Sequence, residues 1–225
     1  MIRLTILLLT LGSFVYGQDS TFVQETCNKI NQLKNKDDIE GQANIVYEQS
    51  LAYIPTIIAN GSKDKKGQDV YKFQYKLRRE LKRTCPGFIL NQTPIKTQRV
   101  LDFEDTFSKS EIDSLKNLMV TIGNEKSIYI FLVTIDDYFP DNSIEEFTNR
   151  IRDSWGHGNY VEKGSVLIAI SVTKRQMRIS TGDKSMKYLS DEECEEANKK
   201  MRPFFKKEDY FNGVIEGLNS LKGAM

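Results

Sequence analysis

The sequence predicts an α/β fold in which a mixed β-sheet is sandwiched by helices, preceded by a small all-helical region. Two almost continuously apolar runs, residues 128–135 and 166–172, are typical of strands buried on both faces of a sheet. A helix-start signal, in which a serine is followed three residues later by a glutamate, occurs at Ser108, Ser143 and Ser190. Strands that alternate with helices form a sheet covered on both sides.

Residues 1–17 are typical of an export signal, because Arg3 precedes an apolar run and small residues follow it. We expect cleavage between Gly17 and Gln18. An uncleaved membrane anchor is the alternative, but the apolar run is far shorter than the roughly 20 residues that a spanning helix requires. We therefore expect an exported protein, periplasmic or extracellular, with no transmembrane segment in the mature chain.

The chain of 225 residues has 32 basic and 31 acidic side chains, and the signal contains only one of them, Arg3. The mature chain is therefore formally neutral, which gives no indication of nucleic-acid binding. Its length suits one large or two small domains. We predict a signal peptide over 1–17, a helical region over 18–85, a linker over 86–98 and an α/β domain over 99–225.

Three helices are predicted before the linker, from apolar residues that recur at intervals of three and four. The second is predicted over 39–53, bent or ended by Pro55. The third ends at Pro86-Gly87 and carries a basic cluster from Arg78 to Arg83. We interpret this cluster as a solvated helix face, because acidic residues interleave with it, and a patch for anionic lipid or phosphate is the alternative.

Cys27 and Cys85 flank this helical region, and we prefer a disulfide between them over a pairing that involves Cys194. Closing a loop of that size stabilises a fold by about 4 kcal/mol in the chain-entropy model. Cys194 follows Asp191-Glu192-Glu193, and neighbouring carboxylates raise the pKa of a thiol and make it a poor nucleophile. We expect Cys194 to be a half-buried structural cysteine.

In the predicted α/β domain, residues 100–103 form a short strand, and a helix runs from the first capping box to Gly123-Asn124. The first apolar run is a strand that ends at Asp136-Asp137, and the second capping box opens the next helix. Residues 175–180 alternate in polarity, so the second apolar run and this segment form a hairpin. The third capping box starts another helix, and the last helix follows Pro203.

The order and spacing of short motifs in residues 99–224 resemble those of the TPM domain. The motifs are Val100-x-Asp102, Thr134, Trp155-Gly156-x-Gly158, Gly164 before Val166-Leu167-Ile168, Arg178-Ile179 with Gly182, Leu189-x-Asp191, Pro203-x-Phe205 and Asp209-Tyr210-x-x-Gly213. The resemblance implies an α/β sandwich outside the cytoplasm. It also implies weak acid-phosphatase activity and calcium binding, attributed to some members, or roles in assembling and regulating membrane complexes, attributed to others.

The sequence departs from the TPM pattern in two loops. Lys163 stands before Gly164 where the family carries an acidic or amide residue, which counts against a bound cation. After Gly182, where the family often has an aromatic residue and another glycine, this chain has Asp183-Lys184-Ser185. Both departures lie where a metal or a phosphate would be bound.

Hydrolysis of a phosphate ester requires a nucleophile or a metal-held water, together with groups that neutralise developing charge. Asp102 is the candidate catalytic residue and, with Asp183 and Asp191, a candidate ligand of calcium, which prefers carboxylate oxygens. Asp102 has no capping role in the sequence, whereas Asp191 lies in the first turn of a helix, where negative charge is favourable. Asp136-Asp137 is predicted to be a strand-ending turn.

Other catalytic signals are weak. His157 is the single histidine, so a two-histidine metal site is excluded, and we interpret it as an exposed loop residue. Trp155 is predicted to pack at the end of its helix. No phosphate-binding Walker loop, Gly-x-Ser-x-Gly elbow or Cys-x-x-Cys pair is present. We therefore favour an exported interaction or assembly module that binds a protein partner at a sheet edge or cleft, with a weak metal-assisted acid phosphatase as the alternative.

Overall fold

The computed structural model describes residues 20–35, 37–59, 68–90, 99–154 and 164–225. The predictions for the export signal, with Gly17 and Gln18, and for Trp155, His157 and Lys163 lie outside the described residues. The chain divides into two compact units, Met1–Gln92 and Thr93–Met225. We call them the helical unit and the α/β unit. Of the described residues, none belongs to a helix that is both long and apolar enough to cross a bilayer.

The helical unit contains α1 (Ser20–Asn31), α2 (Ile39–Ala59) and α3 (Gln68–Thr84). The three helices meet in an apolar core that includes Ile30, Phe73 and Leu81. Cys27 of α1 is joined to Cys85, directly after α3, by a disulfide with a Cα–Cα distance of 5.6 Å. The structure therefore contains the pair that the sequence favours.

Two details of the helical unit differ from the predictions. Helix α2 extends past the predicted end at residue 53, through Pro55 to Ala59, because a proline removes only one backbone donor and the neighbouring turns keep theirs. The basic cluster on α3 is not a uniformly solvated face. Arg79 is only 6% exposed, and burial lowers the pKa of Arg78, with a smaller opposing contribution from Tyr71.

The α/β unit is built on a four-stranded sheet of order β1-β2-β3-β4, which confirms the predicted mixed sheet. Its strands are β1 (Val100–Asp102), β2 (Ile128–Thr134), β3 (Gly164–Ser171) and β4 (Gln176–Thr181). The first three are parallel, with Leu132 opposite both Val100 and Ile168. β4 returns antiparallel to β3 as the predicted hairpin.

In the described part of the α/β unit, four helices cover the sheet: α4 (Lys109–Lys126), α5 (Ile144–Ser154), α6 (Asp191–Phe205) and α7 (Tyr210–Ala224), with a short 3₁₀ helix at Ser185–Lys187. Helices α4, α6 and α7 share one core with alternate residues of the strands, such as Ile130 and Ile168. α5 packs against β3 and β4 on the opposite face, where Arg178 of β4 pairs with Glu145 at 3.0 Å.

The helix-start signals have the expected geometry at two of three positions. Ser108 and Ser190 each cap a helix and exchange hydrogen bonds with the glutamate three residues later. At the third, Ser143 accepts from the N–H of Glu146, but the Glu146 carboxylate accepts from Asn142 instead. Ser143 and Glu146 therefore both accept from backbone N–H groups near the start of α5. The glutamate bonds to the N–H of Asn142, one residue earlier than the N–H of Ser143 that a capping box would use.

Helix α4 runs two residues past the predicted end at Gly123-Asn124, to Lys126, and its C-cap Ser127 is in the left-handed region (φ 53°). Gly123 serves packing rather than termination. A Cβ atom at this position would lie 2.6 Å from the carbonyl oxygen of Ile128, so only glycine lets the helix approach the start of β2 this closely.

Candidate functional site

The carboxyl ends of β1, β2 and β3 lie at one end of the sheet, where open α/β sheets bind their ligands. A cleft of about 550 Å³ lies there, within the range of small-ligand sites. We call it the hairpin cleft. Its lining residues come from the β3–β4 hairpin, the start of α5 and the α6–α7 turn: Ile144, Ile170, Ser171, Arg175, Gln176, Met177, Arg202, Phe205, Lys206, Glu208 and Tyr210.

The hairpin cleft combines apolar walls with a surplus of positive charge. Ile170 is fully buried in the floor, and Phe205 and Tyr210 pack together with ring centroids 5.1 Å apart. Arg202 is neutralised by Glu195 at 2.7 Å. In the part of the chain that the structure describes, neither Arg175 nor Lys206 has a carboxylate within 4.0 Å.

Two cleft residues hold an unusual backbone conformation. Arg175 (φ 52°) in the hairpin turn and Glu208 (φ 61°) in the α6–α7 turn both adopt the left-handed region, which is uncommon outside glycine. Residues in this region persist only where the surrounding structure maintains them, and they are common at functional sites.

Glu104 holds the hairpin turn in place. Its carboxylate accepts from the N–H groups of Val172 and Thr173 at 2.8 and 2.9 Å.

Tyr210 reports the electrostatics of this end of the sheet. Burial raises the pKa of its hydroxyl, and the carboxylates of Glu208 and Glu104 raise it further. Arg175 opposes them and lowers that pKa. The phenol therefore stays neutral at physiological pH and offers an uncharged hydrogen-bonding group beside the cations.

Asp102, the candidate catalytic residue, is 4% exposed at the end of β1. Its carboxylate accepts hydrogen bonds from the N–H groups of Thr106 and Phe107, each at 3.0 Å, and from the hydroxyl of Thr134 at 2.6 Å. These bonds tie the loop after β1 to the neighbouring strand. With three hydrogen bonds and 4% exposure, little of the carboxylate is open to a metal ion or a reacting phosphate.

The structure does not bring Asp102 and Asp183 together. Asp102 is the last residue of β1, a parallel strand, and pairs with Thr134, which pairs with Ile170. Asp183 follows β4, whose last residue, Thr181, pairs with Val166. Val166 and Ile170 are four positions apart on β3, about 13 Å. Asp183 follows the carboxyl end of a strand as Asp102 does, but at the opposite end of the sheet, because β4 runs antiparallel to β3.

Asp191 is the first residue of α6, after the Ser190 cap. Asp137 accepts from the N–H of Phe139 at 3.1 Å, in the predicted strand-ending turn. Within the described residues, no three His, Cys, Asp or Glu side chains are grouped so that they could hold a metal ion. Asp102, Asp183 and Asp191 therefore do not converge on one calcium ion in this arrangement, and calcium binding stays a prediction.

Cys194 is a buried free cysteine on α6. Burial is the main cause that raises the pKa of its thiol to about 11, followed by the carboxylates of Asp191 and Glu193, while Arg178 lowers it. The sequence indicated the carboxylates but not the larger effect of burial. The thiol is therefore protonated and a poor nucleophile at neutral pH.

Sequence reasoning did not identify Arg175, Met177 and Lys206 as one site. Arg175 and Met177 are close in the hairpin, but Lys206 comes from the end of α6. A weak signal was present, since charged residues cluster in the turn before β4 and in the turn before Tyr210.

Comparison with known proteins identifies the α/β unit. The sequence profile of the TPM domain matches residues 100–224. The N-terminal domain of a protein from P. gingivalis, solved by NMR, has a TM-score of 0.51 and 23% identity, over 57% of this chain and 82% of that chain. This likeness shows the fold alone. No curated protein sequence matches the chain.

Two further NMR structures are similar at lower scores. The N-terminal domain of the cg2496 protein from Corynebacterium glutamicum has a TM-score of 0.48 and 20% identity, over 60% of this chain and 86% of that chain. The BA42 protein from the psychrophilic bacterium Bizionia argentinensis has a TM-score of 0.49 and 14% identity, over 54% and 82%.

Proposed function

This chain belongs to the TPM domain family, and from that premise we propose that it is an exported interaction or assembly module that binds a partner protein of an envelope or membrane complex. The observation that carries the proposal is the hydrogen bonding of Asp102. Its carboxylate is used in folding the loop after β1, so the acid on which phosphoester hydrolysis would depend is not presented to a substrate.

The hairpin cleft supports binding as the task of this domain. Its apolar floor and exposed cations are features of recognition surfaces, in which a buried apolar contact supplies affinity and charges at the rim supply selectivity. A weak metal-assisted acid phosphatase is the alternative. It would require the Asp102 loop to open and other acids to approach.

Export is supported by the Cys27–Cys85 disulfide, because disulfides persist in oxidising compartments and are rare in the cytosol. We expect the mature protein to begin at Gln18. Mass spectrometry of the N-terminal peptide, from protein made in its natural host, checks this start. A mature chain that retains residues 1–17 would contradict it.

Photo-crosslinking in the natural host tests the interaction role. A photoreactive amino acid is introduced at single exposed positions over the α/β unit, and crosslinked products are identified by mass spectrometry. We expect one partner protein, captured from neighbouring positions and not from distant ones. No discrete partner, together with metal-dependent hydrolysis of p-nitrophenyl phosphate that Asp102→Asn abolishes at an unchanged unfolding midpoint, would favour the phosphatase instead.

A further inference from the structure

The outer edge of β4 has unused backbone hydrogen-bonding groups. Among the described residues, β4 is the last strand in the order of the sheet. The N–H of Gly182 donates to the carbonyl of Ser165 at 2.8 Å, and bonded pairs alternate along an antiparallel ladder. Met177, Ile179 and Thr181 therefore direct their N–H and C=O groups away from β3. Within the described part of the chain, these outward groups have no hydrogen-bond partner.

The hairpin cleft lies alongside this edge. Met177 belongs both to β4 and to the cleft lining. Ile144, at the start of α5, lines it from one face of the sheet, and Phe205, at the end of α6, lines it from the other. A partner strand that paired with β4 would therefore be able to place one of its own side chains in the hairpin cleft. This is how strand addition combines backbone affinity with side-chain selectivity.

The charges of the cleft indicate what the bound chain carries. Arg175 and Lys206 are exposed, and each lacks a carboxylate within 4.0 Å in the described residues. Glu208 is the acidic residue of the lining. With Arg202 paired to Glu195, the lining has two cations and one carboxylate, so its surplus is one positive charge and an acidic segment complements it better than a basic one.

We propose that the edge of β4 and the hairpin cleft bind an extended acidic segment of a partner protein. The segment adds a strand to the sheet, places a large apolar side chain against Ile170 and Phe205, and pairs a carboxylate with Arg175 and Lys206. This inference rests on the proposed interaction role and specifies its site and the chemistry of its partner.

The probe is a library of random ten-residue peptides displayed on phage and selected on the purified chain. We expect the enriched peptides to carry Asp or Glu close to a large apolar residue. Synthetic copies are then titrated by fluorescence anisotropy. The double variant Arg175→Glu/Lys206→Glu should weaken binding at least about tenfold, because attraction at two positions becomes repulsion.

The matched control is Lys187→Glu/Lys200→Glu, which makes the same change of net charge at exposed lysines outside the cleft lining. We expect its affinity to stay within about twofold of the unaltered chain, since screened charges at a distance contribute little. Enriched peptides without acidic residues, or equal losses in both double variants, would overturn the proposal. Anionic lipid vesicles that bind through Arg175 and Lys206, with no peptide enriched, would overturn it as well.

Strand addition has its own test. Met177→Pro removes an outward N–H without removing a bond of the β3–β4 ladder, and Met177→Leu keeps both the N–H and an apolar side chain. Only the proline variant should lose peptide binding. A second test uses the unaltered chain and two peptides, one N-methylated at its odd residues and the other at its even residues. The peptide whose blocked N–H groups face β4 should fail to bind. Full binding of both peptides would contradict strand addition.

The crosslinking experiment separates this inference from the proposed function. A partner captured in cells only from positions away from β4 would leave the interaction role standing and overturn the β4 site. Peptides that bind as expected, with no discrete partner captured in cells, would support the chemistry of the site and overturn the interaction role.

Discussion

The two units of this chain reach stability by different means. Among the described residues, the largest apolar cluster of the helical unit has nine buried members and is fastened by a disulfide, whereas that of the α/β unit has nineteen around a sheet. A short chain buries a smaller fraction of its surface, so small units depend on covalent staples. The difference predicts that each unit responds to a different set of perturbations.

The largest expected effect is the loss of the disulfide. The double substitution Cys27→Ser/Cys85→Ser should destabilise the helical unit by about 4 kcal/mol, because a long loop regains its freedom in the unfolded state. Hydrogen exchange, followed by mass spectrometry of peptides from each unit, measures this. Protection of β2 and β3 should be unchanged, and an equal loss of protection in both units would contradict the comparison.

The next largest effect concerns Asp102. Asp102→Ala leaves two N–H groups and one hydroxyl without their acceptor, and we expect it to destabilise the α/β unit by about 3 kcal/mol. Urea unfolding measures the change. Asp113→Ala, which removes an exposed carboxylate paired with Lys109, is the control and should cost less than about 1 kcal/mol. Similar losses in both variants would argue against a structural role for Asp102.

A smaller and more local effect is expected at the start of α6. Ser190→Ala removes the oxygen that accepts from the N–H of Glu193 and should cost about 1 kcal/mol. Ser190→Thr keeps a capping hydroxyl and should retain most of the stability. Thermal unfolding of the three proteins, compared at one pH, provides the measurement. A threonine variant as unstable as the alanine variant would show that the cap is not the cause.

The smallest effect at neutral pH comes from Cys194. Its folded pKa of about 11 lies above the ordinary value of 9.0, so the folded state favours the protonated thiol. Below pH 9 the thiol is protonated in both states and stability does not depend on it. Between pH 9 and about 11 the unfolded state loses its proton first, so stability falls as pH rises.

Cys194→Ala removes this dependence, and its stability should fall less steeply over the same pH range. Urea unfolding of both proteins, in buffers from pH 8 to about 11, gives the difference between the two slopes. Parallel slopes would show that the thiol does not couple to folding. Cys194 lies in the α/β unit, so the protection of α1 and α3 against hydrogen exchange should be the same in the unaltered chain and in Cys194→Ala.

Local patterns predicted most of the fold. The capping boxes at Ser108 and Ser190 and the two apolar strands were readable because their hydrogen bonds and burial depend on residues close in sequence. The ends of the helices were predicted less well. The pair Gly123-Asn124 is typical of a helix end, but Gly123 lies inside α4, and its role depends on a tertiary contact with the carbonyl oxygen of Ile128 at the start of β2.

The candidate site was harder to predict than the fold, because its members come from elements far apart in the chain. Asp102 and Asp183 have similar sequence contexts, at the ends of short strands. They are separated by the direction of β4, which is set by pairing with β3 rather than by either residue's neighbours. The positive surplus of the hairpin cleft likewise arises when the end of α6 meets the hairpin.

The sequence by itself determined the class of fold and the helix starts, since periodicity and capping are local properties. The order of motifs along the chain determined the TPM resemblance, and the positions of Cys27 and Cys85 on either side of the helical region determined the preferred pair. Only the tertiary structure decided that Asp102 is enclosed by hydrogen bonds and that Arg175, Met177 and Lys206 share a cleft. Burial and charge balance depend on every element packed around a residue, and strand order and direction place those elements through long-range contacts.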